Sequence, residues 1–494
     1  MTGQLLSTMP LPVISRVASS EVGPTGADVG QDPMVGGGAA APRRWLLAPY
    51  VWWAGLAAAY SVLSLTRFAS LSTPSWDNAI FQQAIAGYAH LRAPIVDIKG
   101  PGYNILGDHF SPVLAVLAPV YRLFPAAQTL LVAQAVLVAG SVVPITRIAV
   151  ERLGSAGGWA VGVAYGLSFG LQSAVYTDFH EMAFAAPLMA LAGTAYLRRR
   201  WWAVAGWTAL LLLVKEDLGI TVAAVGVLLM IAGARRLGAA LAGIGMAGCA
   251  VLLFVVIPAV NRSGRFDYWS AVSFGRGGPS AWHTFVSGWD VKLPTLLLTF
   301  GITGFLALRS PWVLVAGPTL AWRWIGTNRE YWDTNWHYSL ILMPIVFIAM
   351  LDGIERARRS RPAWLRRYTE HLPTVVAAVS LVLVLQFPLH NLLRAATYQP
   401  NPTDVAAARA AIGTIPHGAS VETNMGLITH LVSDHHVYWF GSIGAAVAPD
   451  YVLIDTHTDH DRAAIADYAD RQHPGHHYEQ IYDSDGYQVA ERTL

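Results

Sequence analysis

Long apolar runs alternate with short polar segments from residue 45 to residue 392. A membrane-spanning helix needs about 20 mostly apolar residues. The pattern therefore predicts an all-α polytopic bundle with about ten or eleven transmembrane helices. The predicted spans are 45–66, 127–149, 156–175, 182–197, 201–214, 218–233, 237–258, 293–308, 311–326, 338–354 and 372–392. Segment 112–125 is short and bounded by prolines, which favours a re-entrant or interfacial position.

Basic residues near the ends of these spans indicate the orientation of the bundle. Arginines cluster at 43–44, 198–200, 235–236 and 356–367, all on one side of the predicted topology. Short loops rich in Lys and Arg face the cytoplasm. Residues 1–43 are then a cytoplasmic tail, and their Gly, Ala and Pro content predicts disorder. With an odd number of spans, the end of the chain lies outside the cytoplasm.

The sequence divides into three parts: the tail 1–43, a transmembrane region 44–394 with a long first outer loop at 67–111, and a domain at 395–494. An Ala-rich helix at 403–413 is followed by short β-like runs, including 420–423 and 451–455. This pattern predicts a small extracytoplasmic α/β domain at the C-terminal end.

Composition supports a multi-pass cell-membrane protein whose first partner is the lipid bilayer. Hydrophobic residues make up 54% of the chain and charged residues 13%, where a soluble domain has about 25%. The formal net charge of +2 does not suggest a nucleic-acid partner. A single cysteine excludes a disulfide framework within the chain.

Four polar clusters interrupt the apolar background, and the predicted topology places all of them on the outer side. The first is the loop 67–111, with Asp77 and His109. Asp77 also suits the N-cap of a helix over 78–88. The second cluster is Asp178-Phe179-His180-Glu181, in which Asp178 and Glu181 have capping-box spacing. A capping box does not require His180, so the cluster is also a candidate acid/base or ligand site.

The third cluster, Lys215-Glu216-Asp217, lies at the apex of an apolar hairpin between arginine-rich ends. The 14 residues of 201–214 rise only about 21 Å as a helix, less than the roughly 30 Å of hydrocarbon. Charges at such depth need each other or a wet cavity. An ion pair within the triplet and a polar cavity that opens outward are both compatible with this pattern. The fourth cluster, at 329–338, contains His337 among several aromatic residues.

These motifs resemble, in this order, a family of predicted membrane proteins catalogued as domain of unknown function 2079. The resemblance covers about 60–490. It is carried by Trp76-Asp77-Asn78-Ala79-Ile80-Phe81-Gln82, Gly107-Asp108-His109-Phe110-Ser111-Pro112, Asp178-Phe179-His180-Glu181, Lys215-Glu216-Asp217, Trp336-His337-Tyr338 and the tail motif Asp450-Tyr451-Val452-Leu453-Ile454-Asp455. In layout the family is similar to the C-type glycosyltransferases (GT-C), in which an acidic residue of the first outer loop is catalytic. Asp77 has the matching position, although Asp77-Asn78 lacks the adjacent acidic pair of several such enzymes.

The resemblance implies a membrane glycosyltransferase that uses a polyprenyl-phosphate sugar donor and a cell-envelope glycan or protein acceptor. The expected catalytic residues are Asp77, Asp178 and Glu181. The expected substrate-binding residues are His109, His180, Lys215, Glu216, Asp217 and His337. The metal requirement is unknown, and a divalent cation held by Asp178, His180 and Glu181 is one possibility. The alternative is a transporter or lipid flippase, because intramembrane charge suits that class too.

Overall fold

A computed structural model of the chain describes residues 44–73, 76–272, 280–399, 401–444, 447–458 and 464–493. The predicted tail 1–43 lies outside these described residues. The described residues from Leu46 onward form one compact unit. Helices make up most of the part before residue 399, and a sheet lies in the part after it.

The first part of the chain is a helical bundle. Its helices are α1 Arg44–Ala69, α2 Trp76–Ala89, α3 Ala118–Leu123, α4 Ala127–Gly140, α5 Val142–Gly166, α6 Phe169–Thr177, α7 Ala185–Leu197, α8 Trp201–Ala209, α9 Leu218–Ile231, α10 Arg235–Val251, α11 Ile257–Val260, α12 Ala281–Val286, α13 Trp289–Gly301, α14 Gly317–Ile325, α15 Leu342–Arg358 and α16 Ala363–Val384. Short 3₁₀ turns join several of them, including Asp97–Lys99, Glu181–Phe184 and His337–Ser339.

Three helical stretches in the described part of the chain are long and apolar enough to cross a membrane: Ala127–Thr177, Arg235–Val260 and His337–Arg358. Shorter apolar helices occur at Pro112–Leu123, Glu181–Leu197, Trp201–Leu213 and Leu218–Ile231. Apolar helices of this kind confirm the membrane character expected from composition. The total of ten or eleven spans remains a prediction.

The loop 67–111 is folded, because it contains α2 and several short turns. Helix α2 packs its apolar residues inward, and Ala79, Ala84 and Ile85 are fully buried. The helix expected over 78–88 is therefore present, but it begins at Trp76. Asp77 lies inside its first turn, so the expectation that Asp77 is the N-cap is wrong.

The hairpin of α9 and α10 is held together by glycines. A Cβ atom on Gly226 would lie 2.4 Å from the backbone nitrogen of Ala242, closer than real contacts allow. Small residues let helix backbones approach closely, and van der Waals packing then stabilises the pair. This packing holds α9 in place, and Lys215-Glu216-Asp217 directly precedes that helix.

The C-terminal part is a small α/β domain, as predicted. Its helices are α17 Pro402–Gly413, α18 Ile428–Leu431 and α19 Ile465–Gln472. Its strands are β1 Ser420–Thr423, β2 His436–Trp439, β3 Tyr451–Asp455, β4 His477–Ser484 and β5 Tyr487–Thr493. The sheet order is β2-β1-β3-β5-β4, with β1 parallel to β2 and β3, and β5 antiparallel to β3 and β4. Strand β4 was not expected, since its side chains are mostly polar and exposed.

Helix α2 is attached to this C-terminal domain by side-chain hydrogen bonds. The Asn78 amide donates to the Thr429 hydroxyl at 2.7 Å, and the Gln82 amide contacts the Ser433 hydroxyl at 2.9 Å. Asn78 and Thr429 are almost completely buried. The sheet domain therefore helps to hold the helix that carries Asp77.

Candidate functional site

The polar clusters meet at one cavity of about 430 Å³. It lies within the usual range for small-molecule sites, roughly 300–1,000 Å³. Seven of the nine residues expected from the sequence line it: Asp77, His109, His180, Lys215, Glu216, Asp217 and His337. Residues from four separate segments of the chain thus reach one place. Asp178 and Glu181 do not line the cavity. Asp178 contacts the backbone of α2, and Glu181 contacts the lining residues Lys215 and His180.

Asp77 faces the cavity from the first turn of α2 and is partly buried. The Asn78 backbone N–H donates a hydrogen bond to the Asp178 carboxylate, and not to Asp77, at 3.1 Å. Asp178 also accepts one from the Phe179 N–H at 3.1 Å. Asp178 therefore satisfies a backbone donor at the start of α2, the task that the sequence assigned to Asp77.

Burial raises the pKa of Asp77, and the neighbouring His180 only partly offsets this effect. Burial, together with the nearby Asp77 carboxylate, raises the pKa of Asp178 to about 8. Two adjacent carboxyl groups with little water around them do not both ionise readily. Burial therefore works against the charged form of both carboxyl groups.

Glu181 is completely buried behind the cavity wall and connects two of the lining residues. One of its oxygens lies 3.2 Å from the Lys215 ammonium, and the other lies 2.9 Å from Nδ1 of His180. Asp178 and Glu181 do not form the alternative capping box in these contacts. Lys215 has its ion pair with Glu181, and all three residues of the triplet line the cavity, which favours the predicted polar cavity over an ion pair within the triplet.

Glu216 holds the first loop against the start of α9. Its carboxylate contacts Nδ1 of His109 at 2.8 Å and accepts a hydrogen bond from the Phe110 N–H at 3.0 Å. The His109 ring stacks on Tyr268, with 4.5 Å between the ring centroids. These contacts place both residues at the cavity, and Asp217 lines it beside them.

Lys99, which was not among the predicted site residues, also lines the cavity. Its ammonium forms an ion pair with Asp108 and lies 3.2 Å from the Tyr268 hydroxyl. Burial works against the charge of Asp108, but His109 and Lys99 outweigh it and lower the pKa of that carboxyl. A usable signal exists in the sequence, because the chain has only three lysines and two of them line this cavity.

His337 reaches the cavity from the turn that precedes α15. The completely buried Arg323 organises the segment before this turn by donating to the backbone carbonyls of Tyr331 and Asp333, at 2.5 and 2.6 Å. Tyr331 and Tyr338 add aromatic surface to the cavity wall. Glu330, the other acid of this predicted cluster, is exposed to solvent.

Three of the lining residues are arranged so that a metal ion can contact all of them. One ligand atom from each of Asp77, His180 and His337 lies within 4.8 Å of the other two. The two imidazole rings are stacked, with 3.6 Å between their centroids. This set differs from the expected trio of Asp178, His180 and Glu181, and only His180 is common to both.

A second polar region occurs at the C-terminal ends of α7 and α15, away from the cavity. Glu181 and His337 precede α7 and α15, whereas arginines follow or end these helices. The 17 residues of α15 span about 25 Å. The arginine-rich region is a pocket of about 760 Å³, lined by Arg152, Arg198, Arg199, Arg356 and Arg359 with Asp352 and Glu355. The basic and mixed-charge clusters therefore lie at opposite ends of the bundle.

Comparison with known proteins gives a family and a fold. The family model of a predicted membrane protein, DUF2079, matches residues 67–489. The crystal structure of ArnT from Cupriavidus metallidurans bound to undecaprenyl phosphate is similar, with a TM-score of 0.55 at 12% identity. The match covers 91% of this chain and 98% of that one. The apo structure of the same protein gives 0.53 at 13% identity, over 90% and 98% of the two chains. No curated protein shows significant sequence similarity to the chain.

Proposed function

Because the chain belongs to the DUF2079 family of predicted membrane proteins and shares its fold with ArnT, we propose that it is a membrane glycosyltransferase. The donor is a sugar on polyprenyl phosphate, and the acceptor is a glycan or protein of the cell envelope. The reaction takes place on the outer face, where the C-terminal domain also lies. The observation that carries this proposal is the meeting of Asp77 and two lysines at one cavity.

The chemistry needs few groups, because a lipid phosphate is already a good leaving group. The bond between the anomeric carbon and the phosphate oxygen breaks, and its electron pair leaves with the polyprenyl phosphate. An acceptor hydroxyl forms the new bond to the anomeric carbon and gives up its proton. Asp77 takes this proton as the general base, and a pKa raised by burial suits that role.

The cations of the cavity are suited to bind the phosphate. Lys215 is 18% exposed in its side chain, and the exposed part faces the cavity. Its partner Glu181 is completely buried, so the ammonium is held at the wall while its remaining N–H groups are available. Charge stabilisation by such preorganised groups lowers the barrier for departure of the phosphate. Aromatic residues on the wall give the sugar a surface on which to pack.

Replacing Asp77 by Asn tests the proposal. The change keeps the size of the side chain but removes the base, which contributes about 10²–10⁴-fold in rate. The assay is the release of polyprenyl phosphate from a panel of polyprenyl-phosphate sugars by purified protein with envelope extract. Asp77→Asn is expected to lose most of this release without loss of folded protein.

Asp290→Asn is a matched control. Asp290 also follows a tryptophan in the first turn of a helix, α13, but its side chain is 63% exposed. We expect normal release from this variant. Near-normal release from Asp77→Asn would exclude Asp77 as the base. Movement of labelled lipid across vesicles by the wild type, with no release from any donor, would favour the flippase alternative.

A further inference from the structure

We propose that Asp77, His180 and His337 bind one divalent transition-metal ion of the zinc type in the cavity. Two imidazoles and one carboxylate form a common ligand set of catalytic zinc sites, which leave a further position open. The inference concerns ion binding alone and does not depend on glycosyl transfer.

The spacing of the three side chains suits this ion. Their ligand atoms lie within 4.8 Å of one another. Zinc bonds to nitrogen and oxygen are about 2.0–2.1 Å long, so ligands on one ion are separated by about 3.3 Å. The three side chains must therefore rotate toward one another to reach that separation. Magnesium and calcium prefer sites made of oxygen atoms, so a pair of imidazoles selects against them.

His180 is prepared for metal binding by its neighbour Glu181. Nδ1 of His180 lies 2.9 Å from the Glu181 carboxylate and 3.4 Å from the Met182 N–H. With the ring proton on Nδ1, shared with the carboxylate, Nε2 would offer its lone pair to the ion. A carboxylate that orients a metal-binding histidine in this way is a recurring feature of zinc sites.

His337 supplies an independent indication that a ligand belongs here. Its side chain is more than nine-tenths buried, and Nδ1 has no hydrogen-bond partner among the described residues. Buried polar atoms are almost always satisfied by protein, water or an ion. The ring is stacked 3.6 Å from that of His180 and lines the cavity.

Metal binding is compatible with the proposed base. A carboxylate can bind a cation through one oxygen, which leaves the second oxygen of Asp77 for a proton. An ion at this position also lowers the pKa of a bound hydroxyl group, and so favours transfer of its proton. The metal site can nevertheless be present in a protein that transfers no sugar.

The experiment measures metal directly in the purified full-length protein. Elemental analysis after dialysis against zinc should give about one ion per chain, as expected for one site. Cobalt loaded into the chelator-treated protein should show the visible absorption of a site with nitrogen and oxygen ligands. His337→Gln should lose this ion, and Glu181→Gln should bind zinc roughly 10–100-fold more weakly.

The matched control is His283→Gln, which removes an exposed histidine of α12. We expect it to retain the ion. Equal zinc content in His337→Gln and His283→Gln would overturn the proposal, and so would wild-type protein that binds neither zinc nor cobalt. If the His337 variant does not fold, the cobalt spectrum of the wild type still shows whether the protein binds an ion through nitrogen and oxygen ligands. Loss of zinc in His337→Gln without any transfer by the wild type would refute only the proposed function.

Discussion

Replacing Lys215 by Met separates the proposed phosphate binding by this lysine from its ion pair with Glu181. The Lys215 ammonium lies 3.2 Å from a Glu181 oxygen, and the two side chains are 18% and 0% exposed. Removing one partner of a buried ion pair costs about 3–5 kcal/mol, because the other charge is left in a dry site. Glu181 keeps its contact with His180, so we expect the lower end, about 3 kcal/mol of unfolding free energy.

The double replacement Lys215→Met with Glu181→Gln removes both charges. Exchange of a complete buried pair for neutral groups is often nearly neutral in stability. We therefore expect most of the lost unfolding free energy to return. Turnover should not return, since the Lys215 ammonium is still missing from the proposed phosphate site.

Denaturant unfolding followed by tryptophan fluorescence measures stability, and release of polyprenyl phosphate measures function. Glu181→Gln alone, assayed with excess zinc, is the control for the loss of that carboxylate and should retain measurable release. Recovery of both stability and release in the double variant would refute phosphate binding by Lys215. Unchanged stability in Lys215→Met would instead show that the ion pair is well hydrated, which would contradict its burial.

Two further predictions concern the C-terminal domain. Thr429→Val removes the hydroxyl that accepts from Asn78, and an unsatisfied buried amide costs about 1–3 kcal/mol; we expect faster hydrogen exchange in α2 and lower turnover. Thr493→Val, which removes a hydroxyl of β5 that donates to the His477 carbonyl, is the comparison, and equal exchange of α2 in the two variants would contradict the contact. A phosphatase fused to the C-terminal end should be active if this domain lies outside the cytoplasm. A fluorescent and phosphatase-inactive fusion would reverse the proposed topology.

The sequence was sufficient to predict a membrane protein with a small sheet domain, and to predict which polar segments contribute to the site. Apolar runs predicted the membrane helices, and β-like runs near residues 420 and 451 predicted a sheet domain. The four polar clusters were expected on one side, because arginines marked the other. Lys215 and His337 do line the same cavity.

The specific partners could not be predicted, because they depend on contacts between distant parts of the chain. Asp178 and Glu181 have the spacing of a local capping box, yet Asp178 bonds to Asn78, 100 residues away. Lys215 is adjacent to two acids in sequence but pairs with Glu181. Local spacing favours local pairs, whereas burial decides between them by the need to satisfy every enclosed charge.

The attachment of α2 to the sheet domain has a consequence for biosynthesis. Asn78 and Thr429, which share a buried hydrogen bond, are 351 residues apart. At roughly 5–20 residues per second, about 20–70 s pass between the synthesis of the two residues. During that interval α2, which carries Asp77, lacks its hydrogen bond to Thr429. Helix α2 therefore gains this support only after the sheet domain has been synthesised and has folded.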